Sequence, residues 1–185
     1  MEDYRINTNY AKALFLVASD MGQLDAVGED MRLVNSVCIE NHMLNTVFAN
    51  PFIREGKKVA ILNELFGAHV SKVTSLFLAF VVKKRRAVNL RGISDAFIGL
   101  YRAYKNVVLS HFVTATEADD EAKQAVCRLV CEYTGKEVEL QTEVDPDILG
   151  GFSIEFDNNM YDARLNTAIN KLRKEFSKNV YESKL

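Results

Sequence analysis

Proline is scarce in this chain. Pro51 and Pro146 are its two prolines in 185 residues, and nine glycines are scattered along it. With no Pro-, Ser- or Gly-rich stretch, a long flexible linker is excluded. Cysteine is equally sparse. Cys38, Cys127 and Cys131 form an odd set, which suits a reducing compartment better than a disulfide framework. Long apolar runs are also missing. The longest, Leu76–Val82, has seven residues, whereas a membrane-spanning helix needs about 20. The opening Met1-Glu2-Asp3-Tyr4-Arg5 has neither the basic start of a signal peptide nor the Arg/Ser bias of a transit segment. These absences predict a soluble protein without direct membrane insertion, made in the compartment where it works.

What is present is ordinary globular material: 48% hydrophobic and 26% charged residues, enough apolar surface for folded cores. The net charge of −2 is unevenly spread. Residues 1–105 carry 14 Lys/Arg against 10 Asp/Glu, and residues 106–185 carry 9 against 15. Opposite charge in the two halves suggests two surfaces for different partners.

Residues 1–105 read as six helices. Tyr10–Ala18 follows a capping-type stretch, Asn7-Thr8-Asn9, and ends near Gly22. From Gln23 to Glu40, Leu24, Val27, Met31, Val34 and Val37–Cys38 recur at helical spacing. His42–Ala49 stops at Asn50-Pro51, because proline disfavours helix at the residue before it. Arg54–Phe66 ends at Gly67, and Ser71–Arg86 and Leu90–Tyr104 complete an α-helical bundle.

The pattern changes at Asn106. Val107–Ala115 reads as a strand buried on both faces, and Thr116 with Asp119 as a capping box. The helix behind carries Ala122, Ala125, Val126, Leu129, Val130 and Tyr133 as one stripe, closed by Gly135. Val138, Leu140, Thr142 and Val144 alternate as a half-buried strand, and Phe152, Ile154 and Phe156 as another. Asp157-Asn158-Asn159 is a turn cluster, and Asp162 stands where it can cap a last helix with an inner face of Leu165, Ala168, Ile169, Leu172 and Phe176. The expectation is a small α+β C-terminal domain, residues 106–185, behind the six-helix bundle of residues 1–105.

Nothing in the sequence asks for catalysis. Gly150-Gly151 precedes a strand-like run with no GK[ST] behind it, so it is no phosphate loop. Cys127 and Cys131 lack the partner spacing of a zinc site. His42, His69 and His111 sit in no nucleophile or metalloprotease motif. Asp119-Asp120-Glu121 in a first helical turn, and Lys83-Lys84-Arg85-Arg86 at a helix C-terminus, are each explained by the macrodipole. The expectation is a protein that is not an enzyme and has no cofactor, metal or nucleic-acid partner.

Two helices, however, are too apolar for surface positions in a bundle. Tyr10–Ala18 has one charged residue, Lys12. The fifth helix has Val73, Leu76, Phe77, Phe80 and Val81 on one side, with Leu78, Ala79 and Val82 on the other. Either both are wholly interior or they pool a second apolar face for an outside helix.

Taken together, these residues resemble the δ subunit family of bacterial and chloroplast ATP synthases, similar to the mitochondrial oligomycin-sensitivity-conferring protein. Tyr10-Ala11-Lys12-Ala13-Leu14-Phe15 resembles the family's YAxALF-type first helix. Asn50-Pro51 with Lys57-Lys58 and Leu62 resembles its NP…K…L segment, and Phe77–Arg86 with Ala87-Val88-Asn89-Leu90 its fifth helix and basic exit. The most specific match is Asp145-Pro146-Asp147-Ile148-Leu149-Gly150-Gly151-Phe152, similar to the DPsLiGGf signature, with Asp162 in the place of the iDgS aspartate. Ala163-Arg164 departs from that last pattern, and the departure bears on how the final helix is capped.

The resemblance implies a stator subunit that resists rotor torque during proton-driven ATP synthesis. It implies that the N-terminal domain binds an N-terminal helix of the α subunit between the first and fifth helices. By position that site is Tyr10, Ala13, Leu14, Val17, Phe77, Phe80 and Val81. It further implies that the C-terminal domain contacts the b subunits of the peripheral stalk, peripherally at the cytoplasmic face of a bacterial inner membrane. Apart from the resemblance, a generic helical peptide-binding adaptor unrelated to ATP synthase, a nucleic-acid-binding regulator and an uncharacterised enzyme stay open.

Overall fold

A computed structural model describes residues 2–157 and 159–177. The chain divides into two compact units, Met1–Tyr104 and Lys105–Leu185. The first is helical: α1 (Glu2–Asp20), α2 (Leu24–Glu40), α3 (His42–Ala49), α4 (Glu55–Phe66), α5 (Lys72–Lys83), a 3-10 turn at Ala87–Asn89, and α6 (Leu90–Lys105). The second runs β1 (Val107–Thr114), α7 (Asp120–Thr134), β2 (Glu137–Val144), β3 (Phe152–Phe156), β4 (Asn159–Asp162) and α8 (Leu165–Ser177). The N-terminal part is thus helical and the C-terminal part a small α/β unit.

The helical unit is built around Leu14, Val27, Met31, Leu78, Val81, Ile93 and Phe97, all within 2% of complete burial. Helical spacing brings them to one centre: Val27, Met31 and Val34 stack along α2, and Leu90, Ile93 and Phe97 along α6. A buried carboxylate ties two helices together. Asp30 of α2 accepts from Ser71 N at 2.8 Å and from Thr74 Oγ1 at 2.7 Å, at the N-terminus of α5. Ser71 caps the same end, its Oγ accepting from Thr74 N.

One expected cap is overturned. Asn7, Thr8 and Asn9 lie within α1, which starts at Glu2. Asn and Thr lower helix propensity by only about half a kcal/mol each, and tertiary contacts outweigh that. Asn7 Oδ1 accepts from Asn89 Nδ2 at 3.0 Å, and the Asn7 amide nitrogen fills the space beside Gly92, where a Cβ would collide with it.

In the second unit the sheet order is β2-β1-β3-β4. β1 and β2 are parallel, with Val108 opposite Val138 and Phe112 opposite Thr142. Parallel neighbours need a crossover, and α7 supplies it. β3 runs antiparallel to β1 with Phe112 opposite Ile154, and β4 antiparallel to β3. α7 packs Val126 and Val130 on Val108, Phe112, Ile154 and Phe156. β1 is therefore buried on one face and not both: Val108, Ser110, Phe112 and Thr114 are buried, while His111 is exposed. The β-branched richness that suggested two covered faces belongs to an alternation in which the fully buried residues lie on one face and Val107, Leu109 and Val113 on the other are only partly buried.

Three further expectations in this unit change. Asp119, and not Thr116, precedes α7, and it makes no side-chain cap bond; Thr116 instead offers its carbonyl to Thr114 Oγ1 at 2.7 Å. The turn before β4 is shorter than three residues, since Asn159 already pairs with Phe156; Asn158 lies outside the described residues. Finally, the stripe of α8 faces no core. No described residue of α8 is buried, and Leu165, Ile169, Leu172 and Phe176 are all exposed.

Candidate functional site

The apolar faces of α1 and α5 that do not enter the core meet as an open groove of about 480 Å³. Asn9, Tyr10, Ala13, Leu14, Val17 and Met21 line it from α1, and Val73, Leu76, Phe77 and Phe80 from α5. On α1 the lining recurs at steps of three and four residues, one face of a helix. Ala11 and Ala18, turned toward the core, are completely buried. On α5, Val73, Leu76, Phe77 and Phe80 form the outer stripe and Thr74, Leu78, Val81 and Val82 the inner one. Each helix therefore has two apolar faces, with the outer pair exposed: Val17 44%, Leu76 64% and Phe80 47%.

The walls are held by ring contacts. The Tyr10 and Phe80 rings lie 6.2 Å apart across the groove, and Lys84 Nζ stands 5.6 Å from the Phe80 ring. Leu14 is 2% exposed and forms the floor where groove meets core. Such a trough presents shape and apolar area, and its described lining contains no acid, base or thiol beyond the Tyr10 phenol. It is suited to receiving a helix with its own apolar stripe.

Six of the seven positions expected from sequence, Tyr10, Ala13, Leu14, Val17, Phe77 and Phe80, line the groove. Val81 does not. It is completely buried in the core, because a residue one step from Phe80 is rotated by about 100° around the helix. Asn9, Met21, Val73 and Leu76 were missed as lining. Val73 and Leu76 share the helical face of Phe77 and Phe80, which was the available signal. Asn9 and Met21 fell outside the expected helix.

The C-terminal signature residues form a different construction. Asp145 N donates to Thr114 O, Asp145 Oδ1 accepts from Asp147 N at 3.0 Å, and Ile148 is buried. Pro146 is exposed within this turn. Gly151 has φ +83°, and a Cβ there would run into Ala163 O. Gly150 O accepts from Leu165 N, and Phe152 O from Ala163 N. The Phe152 ring packs on Phe112 at 5.6 Å. This segment clasps the start of α8 to the sheet.

Asp162 completes the clasp. Its Oδ1 accepts from Arg164 N and Nε, and its Oδ2 from Arg164 Nη2, all at 3.0 Å, and from Thr167 Oγ1 at 2.9 Å. The Arg164 side chain and backbone donors hold the Asp162 carboxyl well below the usual carboxylate range. Arg164, the departure from the family pattern, thus engages the aspartate directly.

Among the described residues no cluster of three His, Cys, Asp or Glu side chains is placed to hold a metal, and no helix is long and apolar enough to cross a membrane. The three cysteines are free. Burial pushes the Cys38 thiol above its ordinary value, with Arg91 acting in the opposite direction.

Comparison with known proteins bears on both units. The profile of the ATP synthase delta (OSCP) subunit family matches residues 6–176. ATP synthase subunit delta of Cytophaga hutchinsonii is 33% identical over 180 residues, 97% of this chain and 98% of that protein. The corresponding subunit of Lactobacillus johnsonii is 33% identical over 175 residues, 94% of this chain and 96% of the other. In fold, the chain is similar to one in a cryo-EM structure of the Toxoplasma gondii mitochondrial ATP synthase hexamer. That match has a TM-score of 0.74 at 20% identity, covering 92% of this chain and 96% of that one. Matches of this extent give no support to an adaptor unrelated to ATP synthase. The chain belongs to the ATP synthase delta (OSCP) subunit family.

Proposed function

We propose that this subunit is a non-catalytic stator link of ATP synthase, joining the catalytic head to the peripheral stalk and resisting rotor torque while ATP is made. In this reading the helical unit is a six-helix bundle that seats the N-terminal helix of an α subunit in the α1–α5 groove. The small C-terminal unit meets the b subunits, and the protein works peripherally at the cytoplasmic face of a bacterial inner membrane. Its task is mechanical and requires no cofactor.

The observation that carries this reading is the pair of facing apolar stripes. Among the described residues nothing covers water-exposed Leu76, Phe80 and Val17, and a helix laid between them would remove that area from water. Fully burying a large apolar side chain is worth about 1.5–3 kcal/mol. A few such anchors supply affinity without polar chemistry. The uncovered stripe of α8 supports a partner for the second unit by the same reasoning.

The test is calorimetric titration of the full chain with a peptide of the α-subunit N-terminal helix from the same organism. Saturable binding at micromolar concentration, lost with Phe80→Asp, supports the proposal. Absence of binding at that concentration contradicts it.

A further inference from the structure

The segment from Asn50-Pro51 to Lys58 and Arg85 of the basic exit of α5 do not line the α1–α5 groove, yet they meet in space. They line a second cleft of about 540 Å³ in the helical unit, with Pro51, Ile53, Val82 and Val88 as apolar walls and Arg54, Lys58 and Arg85 as its cations. We propose that this cleft is a second docking site, which takes a carboxylate from an acidic, apolar-flanked peptide segment of a neighbouring subunit.

Lys58 is the first reason. Its side chain belongs to a residue only 9% exposed, and its Nζ donates to Phe48 O at 2.7 Å, at the C-terminal end of α3. A lysine ammonium carries three donors, and among the described residues that carbonyl is its only hydrogen-bond acceptor. A buried charge held by a single neutral acceptor is poorly compensated. Glu55, the acid already in the lining, is engaged by Arg85, so a carboxylate entering the cleft would supply the opposite charge that Lys58 itself lacks.

Arg85 is the second, independent reason. α1 and α5 end in the same backbone motif. After α1, Gly22 N donates to Ser19 O and Gln23 N to Ala18 O; after α5, Arg85 N donates to Val82 O and Arg86 N to Val81 O. This two-bond motif puts its central residue in the left-handed region, where glycine is favoured. α1 uses Gly22 at φ +64°, but α5 uses Arg85 at φ +58°. A long side chain in that conformation is uncommon, and observed backbone strain points toward a function for the residue that bears it. The side chain here reaches Glu55 at the start of α4, Nε to Oε1 at 3.0 Å, across the mouth of the cleft. With both groups substantially exposed, 86% and 45%, that ion pair adds little to stability by itself.

The composition of the cleft selects the ligand. Most of its lining is apolar, which suits a carboxylate flanked by aliphatic side chains. Glu55 stands among the cations and disfavours a doubly charged phosphate or a polyanionic nucleic acid. A nucleic-acid site would also require a broader basic surface.

The test uses the full chain, isotopically labelled for amide NMR, titrated separately with acetyl-Leu-Glu-Leu-amide, acetyl-Leu-Gln-Leu-amide and inorganic phosphate. The glutamate peptide is expected to shift the amides of Arg54, Lys58 and Arg85 and leave those of Tyr10 and Phe80 unmoved. The glutamine peptide should bind about tenfold more weakly, the loss of a charge-assisted hydrogen bond. Arg85→Gly should weaken the glutamate peptide severalfold while melting no lower than the parent, since glycine relieves the left-handed strain. Equal binding of the two peptides would overturn the proposal. So would no shift at the cleft, phosphate binding as tightly as the glutamate peptide, full peptide affinity in Arg85→Gly, or a lower melting temperature for that variant. A failure of α-helix docking in the other groove would register at Tyr10 and Phe80 and leave these outcomes readable.

Discussion

The Tyr10 ring of α1 and the Phe80 ring of α5 face each other at 6.2 Å, with an interplanar angle of 43°. Both rings belong to groove walls whose opposite sides are sealed into the core. Phe80 is half-exposed, whereas Tyr10 also packs against the core, so replacing Phe80 is the change that alters the groove without opening the interior.

Phe80→Asp follows from that geometry. Phe80 is 47% exposed, so a carboxylate there stays hydrated in the free chain but is desolvated under a docked apolar helix. Affinity for the α-subunit helix should fall about 100-fold, a loss of roughly 3 kcal/mol within the range of interface hot spots, while the circular dichroism melt stays near that of the parent. Loss of the folded signal would place Phe80 in the core and remove it from the site.

Val81→Ala separates the two faces of α5. Val81 has no exposure, and removing two buried methyl groups from a packed core should destabilise the helical unit by about 1–3 kcal/mol. Urea unfolding measures that shift. Helix affinity should change far less than with Phe80→Asp, and the reverse ranking would mean that the faces are assigned the wrong way round.

Much of this was legible in the sequence for a local reason. Pro51 and Ser71 act through their immediate neighbours, and the ends of α3 and α5 follow from them. The surplus of apolar residues in α1 and α5 likewise announces a second face by periodicity alone. Asn7 could not be read this way, because its partner Asn89 is 82 positions away, and its side chain resembles a cap until that partner is placed. Phe80 and Val81 differ by one step of rotation, and only the position of the other helices decides which is inside. The stripe of α8 has core-like spacing, but no other described part of the chain covers it.

Gly151→Ala probes the clasp of the C-terminal unit. The backbone at φ +83° and the nearness of Ala163 O both oppose a Cβ, so the variant should lose about 2–3 kcal/mol. The loss should appear in the unfolding of the C-terminal unit and leave helix binding by the N-terminal unit intact. Wild-type stability in this variant would mean that the tight passage beside Ala163 is not maintained in solution.

The Asp162–Arg164 pair imposes a pH dependence of known sign. Asp162 is held below its ordinary value of about 3.8. Its contribution is therefore fully present above that ordinary value and is lost as the pH falls through the depressed folded-state value. The melting temperature of the C-terminal unit should fall on acidification below about pH 4, and Asp162→Asn should flatten that part of the profile. An unchanged acid profile in Asp162→Asn would show that the pair is not formed.

The most direct measurement of stator docking is amide NMR of the labelled full chain titrated with the α-subunit N-terminal helix. Docking in the α1–α5 groove predicts saturable shifts at Tyr10, Ala13, Val17, Leu76 and Phe80, absent with Phe80→Asp. Binding that leaves these amides unmoved, or no binding at micromolar concentration, would contradict it.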